Sequence, residues 1–282
     1  MKHRLFFIFT AILLAFSTFQ TNATDRTIKI LAIGNSFSVD AVEQDVWELF
    51  NAEGINVVIG NMYIGGCSLE RHYNNSVSGK DDYSYRKIVN GVRTVTPKFT
   101  LDQSLADEKW DYITIQQSSG KSGFPDTYKP YLAKLLAYID SKLDYDPVIL
   151  FHMTWAYQGD SDHRDFPKYE KNQMKMYSQI VSSVKENVGE NPTIKGVIPS
   201  GTAIQNARTS SLGDTFTRDG YHLKYGYGRF TAACTWFETI SGKDVTKNSY
   251  RPENVSDSEA AICKMAAHKA VRKRWKITKI KL

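Results

Sequence analysis

The sequence predicts an α/β fold in which helices alternate with the strands of a parallel, doubly wound sheet. Short runs rich in β-branched residues recur along the chain, each apolar enough to be buried on both faces of a sheet. Amphipathic helical patterns separate most of these runs, and such alternation is typical of parallel sheets. About five strands are expected, at Ile28 to Ile33, Ile55 to Ile64, Tyr112 to Ile115, Val148 to Met153 and Ile194 to Ile198.

The first strand and the helix after it open this fold. The apolar run of the first strand ends at Gly34. A helix is then predicted from Asp40, because Asp40 and Glu43 three residues later make a capping pair. One apolar stripe follows, made of Val42, Val46, Leu49 and Phe50, and Gly54 ends the pattern.

The alternation stops between the second and third strands. The segment from Tyr85 to Val95 contains Asn90-Gly91, a pair that favours a type I′ turn, so a β-hairpin insertion is predicted there. Further helices are predicted at Leu101 to Trp110, Tyr128 to Leu143, Tyr169 to Val188, Phe230 to Ile240 and Ser256 to Val271.

The N-terminus has the three parts of a secretory signal peptide. Met1 to Arg4 is basic, Leu5 to Phe16 is apolar, and Thr21-Asn22-Ala23 ends in small residues. The apolar run is shorter than the roughly 20 residues that span a bilayer, so cleavage after Ala23 is expected rather than anchoring. Residues 24–282 then form one exported domain, secreted or periplasmic.

The charge pattern argues against a nucleic-acid partner. Loss of residues 1–23, which include Lys2 and Arg4, lowers the formal net charge from +6 to +4. Much of this surplus lies between Lys269 and Lys281, and a basic run of this kind is usually a solvated face.

Downstream of the N-terminus there is no apolar stretch of membrane-spanning length, so no membrane insertion is expected after cleavage. The oligomeric state stays open.

Neither cysteines nor histidines have the spacing of metal ligands, and no metal or cofactor is predicted. The three cysteines are Cys67, Cys234 and Cys263, and at most one disulfide is possible among them. Whether Cys234 and Cys263 pair is left open. His152 lies within the fourth apolar run and is expected in the core.

Candidate reactive segments follow four of the five predicted strands: Ser36 after the first, Gly65 to Ser68 after the second, Gln116 to Ser119 after the third and Asp219 to His222 after the fifth. Ligands of open parallel sheets bind beyond the carboxyl ends of the strands, so these segments are expected to converge. A serine nucleophile needs a base, a group that orients the base, and donors for the oxyanion. Ser36 is the candidate nucleophile, His222 the base, and Asp219 the orienting group.

These segments resemble the conserved blocks of the SGNH, or GDSL-type, hydrolase superfamily. Gly34-Asn35-Ser36-Phe37-Ser38 is similar to its first block, Gly66 to its second, and Asp219-Gly220-Tyr221-His222 to the last block of secreted bacterial members. The resemblance runs from Ile28 to about Ile240. It implies a three-layer α/β/α, flavodoxin-like fold, with Ser36 as the nucleophile and His222 as the base. It also implies an oxyanion hole formed by the N–H groups of Ser36 and Gly66 with a side-chain amide.

The third block departs from the superfamily pattern. The amide usually comes from an Asn in Gly-x-Asn-Asp after the third strand, and that sequence is absent here. Gln116-Gln117 stands in its place, and glutamine carries the same amide one methylene further out. Gln116 is the preferred donor because it ends the apolar run, and Gln117 is the alternative.

Three residues are candidate substrate contacts. Trp155 and Tyr157 follow the fourth strand and either stack on a sugar ring or pack in the interior, while Asn35 neighbours the nucleophile. By analogy with exported members of the superfamily, the expected reaction is hydrolysis of an O-acyl ester, with acetyl on a carbohydrate preferred, through an acyl-enzyme at Ser36. The alternatives are a non-catalytic carbohydrate-binding protein on the same fold and a lipid esterase.

Overall fold

A seven-stranded sheet organises the part of the chain that this computed structural model describes, residues 26–282. The strands are β1 (Ile28–Gly34), β2 (Val57–Tyr63), β3 (Tyr83–Val89), β4 (Val92–Phe99), β5 (Tyr112–Ile115), β6 (Val148–His152) and β7 (Ile194–Ile198). Their order is β4-β3-β2-β1-β5-β6-β7, and all pairs are parallel except those that involve β3 and β4. The predicted α/β class with a mostly parallel sheet is therefore confirmed. The predicted signal peptide, residues 1–23, lies outside the described residues.

Nine α-helices lie within residues 26–282. They are α1 (Ser36–Val42), α2 (Val46–Asn51), α3 (Leu69–Val77), α4 (Leu101–Asp107), α5 (Tyr131–Asp140), α6 (Gln173–Val188), α7 (Ser200–Ala207), α8 (Tyr227–Ser241) and α9 (Asp257–Arg272). One group of packed helices contains α1, α2, α7, α8 and α9, and another contains α3, α4 and α5. Within the described residues, none of these helices has the length and apolar character needed to cross a membrane.

The position of β1 in the sheet places the candidate site. Residues Ile30 to Ile33 are buried, with β2 on one side of the strand and β5 on the other. The chain passes from β1 to β2 in one direction and later returns to β5 on the opposite side, so the strand order reverses at β1. Crevices for ligands form at such reversals, beyond the carboxyl ends of the strands. Ser36 follows that end of β1.

The two antiparallel strands lie at one edge of the sheet and are joined at Asn90-Gly91. The φ angles of Asn90 and Gly91 are 51° and 74°, and a type I′ turn requires positive φ at both positions. β4 is exposed along most of its length. Glu43, which follows α1, accepts hydrogen bonds from Arg86 on β3 at 3.2 Å and from Arg93 on β4 at 2.7 Å.

The first helix begins four residues earlier than predicted. Asn35 caps α1, because its Oδ1 accepts the N–H of Phe37 at 3.0 Å. Asp40 is not a cap; it lies inside the helix, fully buried, and binds two arginines from distant parts of the chain. The prediction of a helix start at Asp40 is wrong because the capping pattern there is coincidental.

Two helices, α3 and α7, were not predicted. All eight residues of α7 are buried, although four of them are polar, so the helix has no exposed face of the kind that marks a surface helix. α3 is polar at most positions, although its N-cap Ser68 accepts the N–H of Arg71 at 3.3 Å. The helices in the middle of the chain, α4, α5 and α6, are also shorter than predicted. Cys67, Cys234 and Cys263 are each unpaired and buried, so the disulfide left open by the sequence is not formed.

Candidate active site

Ser36 lies at the first position of α1, directly beyond the central strand. The backbone oxygen of Asn35 accepts the N–H groups of Ser38 and Val39 at 3.0 and 3.2 Å, which forms the first turn of the helix. The N–H of Ser36 belongs to the unpaired donors of a helix start, and it has no acceptor within residues 26–282. Ser36 is partly exposed. Both its hydroxyl and its N–H are therefore free to meet a ligand.

Asp219 and His222 are in direct hydrogen-bond contact. Asp219 Oδ2 lies 2.7 Å from His222 Nδ1, and Asp219 Oδ1 accepts the N–H groups of Tyr221 and His222 at 3.2 and 2.8 Å. Gly220 permits this tight loop because its φ of 85° is disfavoured for residues with a Cβ. A carboxylate only accepts hydrogen bonds, so Nδ1 carries the proton and Nε2 of neutral His222 is an acceptor.

The charge state of Asp219 suits this contact. Partial burial acts to raise the pKa of Asp219, but the hydrogen bonds from His222 and Tyr221 outweigh it and hold the pKa below its ordinary value. Asp219 is therefore ionised at neutral pH. A negative charge against Nδ1 stabilises the imidazolium that forms when Nε2 takes a proton.

The acid–base loop, residues 218–223, lies against α1. The rings of Phe37 and His222 meet edge to face with centroids 5.9 Å apart, and the N–H of Leu223 donates to Asp40 Oδ2 at 2.8 Å. The helix that begins at Ser36 thus contacts both His222 and the residue after it. Among residues 26–282, neither Ser36 Oγ nor His222 Nε2 has a hydrogen-bond partner. In ligand-free enzymes such catalytic hydrogen bonds often form only with substrate.

Gly66 supplies a second free donor, in the loop that is bonded to Asn35. It is exposed, has a φ of 61°, and its N–H makes no hydrogen bond to any described residue. Asn35 Nδ2 donates to the oxygen of the following residue, Cys67, at 2.9 Å. Asn35 therefore joins the loop that holds Gly66 to the start of the helix that holds Ser36. This is the role that the structure shows for Asn35, which the sequence suggested as a substrate contact.

The two glutamines after β5 have different partners. Gln117 Oε1 accepts the N–H groups of Leu69 and Ser118, and its Nε2 donates to the oxygen of Thr127 at 2.9 Å. Gln116 Nε2 donates to Asn35 Oδ1 at 2.9 Å, and Gln116 is 1% exposed. The amide of Gln117 is thus turned toward Thr127, whereas that of Gln116 reaches the residue before Ser36. The role of Gln116 as an oxyanion donor stays a prediction.

His152 continues the hydrogen-bond network below Gln116. Its Nδ1 lies 2.9 Å from Gln116 Oε1, and its Nε2 lies 3.0 Å from Ser200 Oγ. Burial lowers the pKa of His152 to about 3, so the ring is neutral at physiological pH. The prediction that His152 is a core residue is confirmed. We call this uncharged network of Ser200, His152, Gln116 and Asn35 the amide relay.

The directions of the hydrogen bonds in the amide relay follow from its chemistry. Because the amide nitrogen of Gln116 donates to Asn35, its oxygen must accept from Nδ1–H of His152. Nε2 of the neutral ring then accepts from the hydroxyl of Ser200. Every member is satisfied without a formal charge, which fixes the orientation of Asn35.

Trp155 and Tyr157 are both fully buried, so neither ring can stack on a substrate sugar in this structure. The suggestion of a sugar contact is therefore corrected to a packing role. The Trp155 ring stacks on Phe37 with centroids 4.3 Å apart, and its Nε1 donates to the oxygen of Tyr221 at 2.7 Å. Trp155 thereby supports α1 and the acid–base loop together.

The sequence reasoning missed two partly exposed rings beside the histidine. The ring of Tyr221 lies 4.2 Å from that of His222, and His163 meets Tyr221 edge to face at 4.5 Å. Tyr221 lies within the segment Asp219 to His222, so its position beside the base could have been predicted from the sequence. The contact of His163, which comes from a distant loop, could not have been predicted.

One group of side chains in residues 26–282 has the composition of a metal site: Glu238, Asp244 and His268. A single ring nitrogen, Nδ1 of His268, lies 2.9 Å from Glu238 Oε1 and 3.2 Å from Asp244 Oδ1. This nitrogen is already shared by the two carboxylates. The contacts describe an ion pair between α8, α9 and the loop after α8, and the candidate site makes no use of it.

The fold and the site together define an α/β protein in which an Asp–His pair lies against the helix that begins at Ser36, beyond the carboxyl end of the central strand. This chain belongs to the DUF4886 family, a domain of unknown function, whose profile matches residues 29–270. It is similar to a DUF4886 family protein of Bacteroides uniformis, with 51% identity and a TM-score of 0.88 over 90% of this chain and 98% of that chain.

More distant solved structures include two carbohydrate esterases. An acetylxylan esterase of Geobacillus stearothermophilus is 13% identical with a TM-score of 0.49, over 75% of this chain and 93% of that chain. A family 3 carbohydrate esterase of Clostridium thermocellum is 12% identical with a TM-score of 0.45, over 77% of this chain and 96% of that chain. Both similarities lie below the level from which a shared activity follows. A search of curated proteins finds no match.

Proposed function

We propose that this protein is a serine esterase that removes a short acyl group, with acetyl preferred, from a carbohydrate. The observation that carries the proposal is the Asp219–His222 pair, held against the helix that begins at Ser36. The resemblance of three sequence blocks to SGNH hydrolases supports the same three residues. The free N–H groups of Ser36 and Gly66 add the donors that an acyl-transfer site needs.

In the proposed reaction, Ser36 Oγ attacks the acyl carbonyl carbon while His222 Nε2 takes the hydroxyl proton. Asp219 holds Nδ1–H and stabilises the imidazolium. The N–H groups of Ser36 and Gly66 donate to the oxyanion, and Gln116 is the proposed third donor.

The tetrahedral intermediate then collapses. The carbon–oxygen bond to the sugar breaks, the sugar hydroxyl takes the proton from His222, and the acyl group stays on Ser36. A water attacks this ester and gives a proton to His222. Release of the carboxylic acid returns that proton to Ser36 Oγ.

A polar cavity beside the pair supports a hydroxyl-rich substrate. The cavity has a volume of about 420 Å³ and is lined by Gln158, Asp160, Ser161, Asp162, Thr217, Arg218, Asp219 and Gly220. None of these residues has an apolar side chain. Such a surface offers many hydrogen-bond partners to a sugar and little to an alkyl chain, so we favour a carbohydrate ester over a lipid ester. Export after cleavage at Ala23 remains part of the proposal.

The test is loss of turnover in Ser36→Ala. We expect p-nitrophenyl acetate hydrolysis to fall to background, because the attacking oxygen is removed, and a fluorophosphonate to label wild-type protein at Ser36 only. Ser38→Ala is the matched control, since Ser38 lies two residues further along the same helix. The hydroxyl of Ser38 is buried and donates to Asn35 O and Asn61 Oδ1. Ser38→Ala should therefore lose stability but keep labelling at Ser36.

Three outcomes separate the proposal from its rivals. Wild-type turnover in Ser36→Ala rejects Ser36 as the nucleophile. Absence of labelling at Ser36 in folded wild-type protein favours a non-catalytic binding protein. Faster hydrolysis of long-chain than of acetyl p-nitrophenyl esters favours a lipid esterase.

A further inference from the structure

We propose that Asp40 is a positioning residue that anchors the acid–base loop to the helix that carries Ser36. This inference rests on the proposed esterase function. Asp40 lies on α1 one helical turn after Ser36, and its side chain is fully buried. A carboxylate without solvent needs compensating partners, so the identity of those partners shows what the residue does.

Asp40 binds both ends of the acid–base loop. Arg218 Nη1, at the start of the loop, lies 3.1 Å from both carboxylate oxygens, and the N–H of Leu223, at its end, donates to Oδ2 at 2.8 Å. Asp219 and His222 lie between these two residues. A single side chain thereby holds both ends of the segment that contains the acid–base pair.

The loop is also closed on itself at the same point. The N–H of Arg218 donates to the oxygen of His222 at 2.9 Å, and the guanidinium of Arg218 donates to the oxygen of Leu223. Thr217 and Leu223 form an antiparallel bridge beside these contacts. The loop is thus a closed unit, and Asp40 is the group through which this unit is fixed to α1.

A second arginine balances the buried charge. Arg229 on α8 lies 2.6 Å from Asp40 Oδ1, and its own side chain is 6% exposed. Burial raises the pKa of Asp40, while Arg229 and Arg218 act in the opposite direction. We call Asp40, Arg218 and Arg229 the carboxylate clamp. It joins α1, α8 and the acid–base loop.

The chain contains a matched control for Asp40. Glu43 directly follows the same helix, its side chain is 1% exposed, and it also pairs with two arginines. Those arginines, Arg86 and Arg93, belong to β3 and β4, and Glu43 makes no hydrogen bond to the acid–base loop in residues 26–282. Glu43 also accepts a hydrogen bond from Asn61 at 2.7 Å. Glu43→Gln therefore removes a comparable buried charge without touching the acid–base loop.

The experiment compares Asp40→Asn with Glu43→Gln in full-length mature protein. We expect both variants to lose stability, but only Asp40→Asn to lower kcat, by about tenfold or more, since small misplacements of reacting groups have effects of this order. KM of Asp40→Asn for p-nitrophenyl acetate should stay within about twofold, because the fully buried Asp40 side chain does not touch substrate. The fluorophosphonate labelling rate at Ser36, measured per folded molecule, should fall in proportion to kcat.

Arg218→Gln decides the matter if Asp40→Asn does not fold. It leaves the buried Asp40–Arg229 pair intact and releases only the loop, so we expect a folded protein with reduced kcat. Wild-type kcat in a folded Asp40→Asn or Arg218→Gln variant would overturn the inference. So would equal losses in Asp40→Asn and Glu43→Gln that follow the folded fraction. If Ser36→Ala retains full turnover, the proposed function itself fails, which is a distinct result.

Discussion

The residues beneath Ser36 and Gly66 are uncharged, whereas those beneath the acid–base loop carry full charges. On the first side, the amide relay runs from Ser200 through His152 and Gln116 to Asn35. On the second side, the carboxylate clamp buries Asp40 between two arginines. The amide relay is wholly buried, whereas Arg218 of the clamp is partly exposed. The two networks support the start of α1 and the acid–base loop through different chemistry.

The difference matches the charges that the proposed reaction develops. Negative charge forms at the oxyanion beside Ser36 and Gly66, so a carboxylate beneath that side would oppose catalysis. Positive charge forms on His222, so carboxylates nearby favour it. A neutral network loses stability when a partner is removed, because each buried polar atom left unpaired costs free energy. The following predictions test whether the relay depends on being neutral.

Gln116→Glu should have the largest effect. The substitution keeps the shape but replaces the amide donor with a carboxylate that faces Asn35 Oδ1, an acceptor. Because this charge also lies beneath the oxyanion side, we expect kcat for p-nitrophenyl acetate to fall by about 10²-fold. Stopped-flow or steady-state kinetics on folded protein measures the change.

Gln205→Glu is the control for Gln116→Glu. Gln205 is also a buried glutamine, but its side chain contacts Gln173 on α6 and Arg208 at the end of its own helix, α7. A new carboxylate there gains Arg208 as a partner, so turnover should stay within about twofold of wild type. Equal turnover in both variants would remove the relay from the oxyanion side of the site.

The second-largest expected effect is a difference between the amide relay and the acid–base loop in how their contributions to stability depend on pH. Burial lowers the pKa of His152 from 6.5 to about 3, so the ring binds a proton more readily in the unfolded chain. Stability linked to His152 is complete above pH 6.5 and falls as the pH decreases toward 3, by about 2 kcal/mol at pH 5. The pKa of Asp219 is held below its ordinary value of 3.8, so its contribution is lost only at lower pH.

Urea unfolding of wild type and His152→Gln at pH 7 and pH 5 measures this effect. The free energy of unfolding of wild type should fall more between these pH values than that of the variant. His72 is buried with its pKa also lowered to about 3, so part of the dependence should survive in His152→Gln. An identical pH dependence in both proteins would show that His152 is not held neutral by the fold.

Local patterns predicted the parts of the site that depend on local geometry. Asp219 and His222 are three residues apart, and that spacing was enough to predict their contact. The five parallel strands also followed from short apolar runs. Asp40 was misread as a helix cap, because its partners Arg218 and Arg229 lie 178 and 189 residues further along the chain and no local pattern reports them.

Burial limited the remaining predictions. Trp155 and Tyr157 follow a strand at the edge where ligands bind, and nothing in their neighbours shows that both rings turn inward. Gln116 was placed correctly at the end of β5, but its partners Asn35 and His152 come from two other strand ends. These contacts depend on how neighbouring strands are aligned, which composition and periodicity do not specify.

Ser200→Ala should have the smallest effect, because it removes only the outermost member of the amide relay. His152 Nε2 would lose its donor, and a buried unpaired acceptor costs about 1 kcal/mol of stability. Turnover should change by less than about twofold, since His152 Nδ1–H still holds Gln116. Thr154→Val is the control: Thr154 Oγ1 is buried without a partner among the described residues, so its loss should not lower stability. A loss of turnover in Ser200→Ala as large as in Gln116→Glu would show that the relay acts as one unit, with its effect undiminished by distance from Ser36.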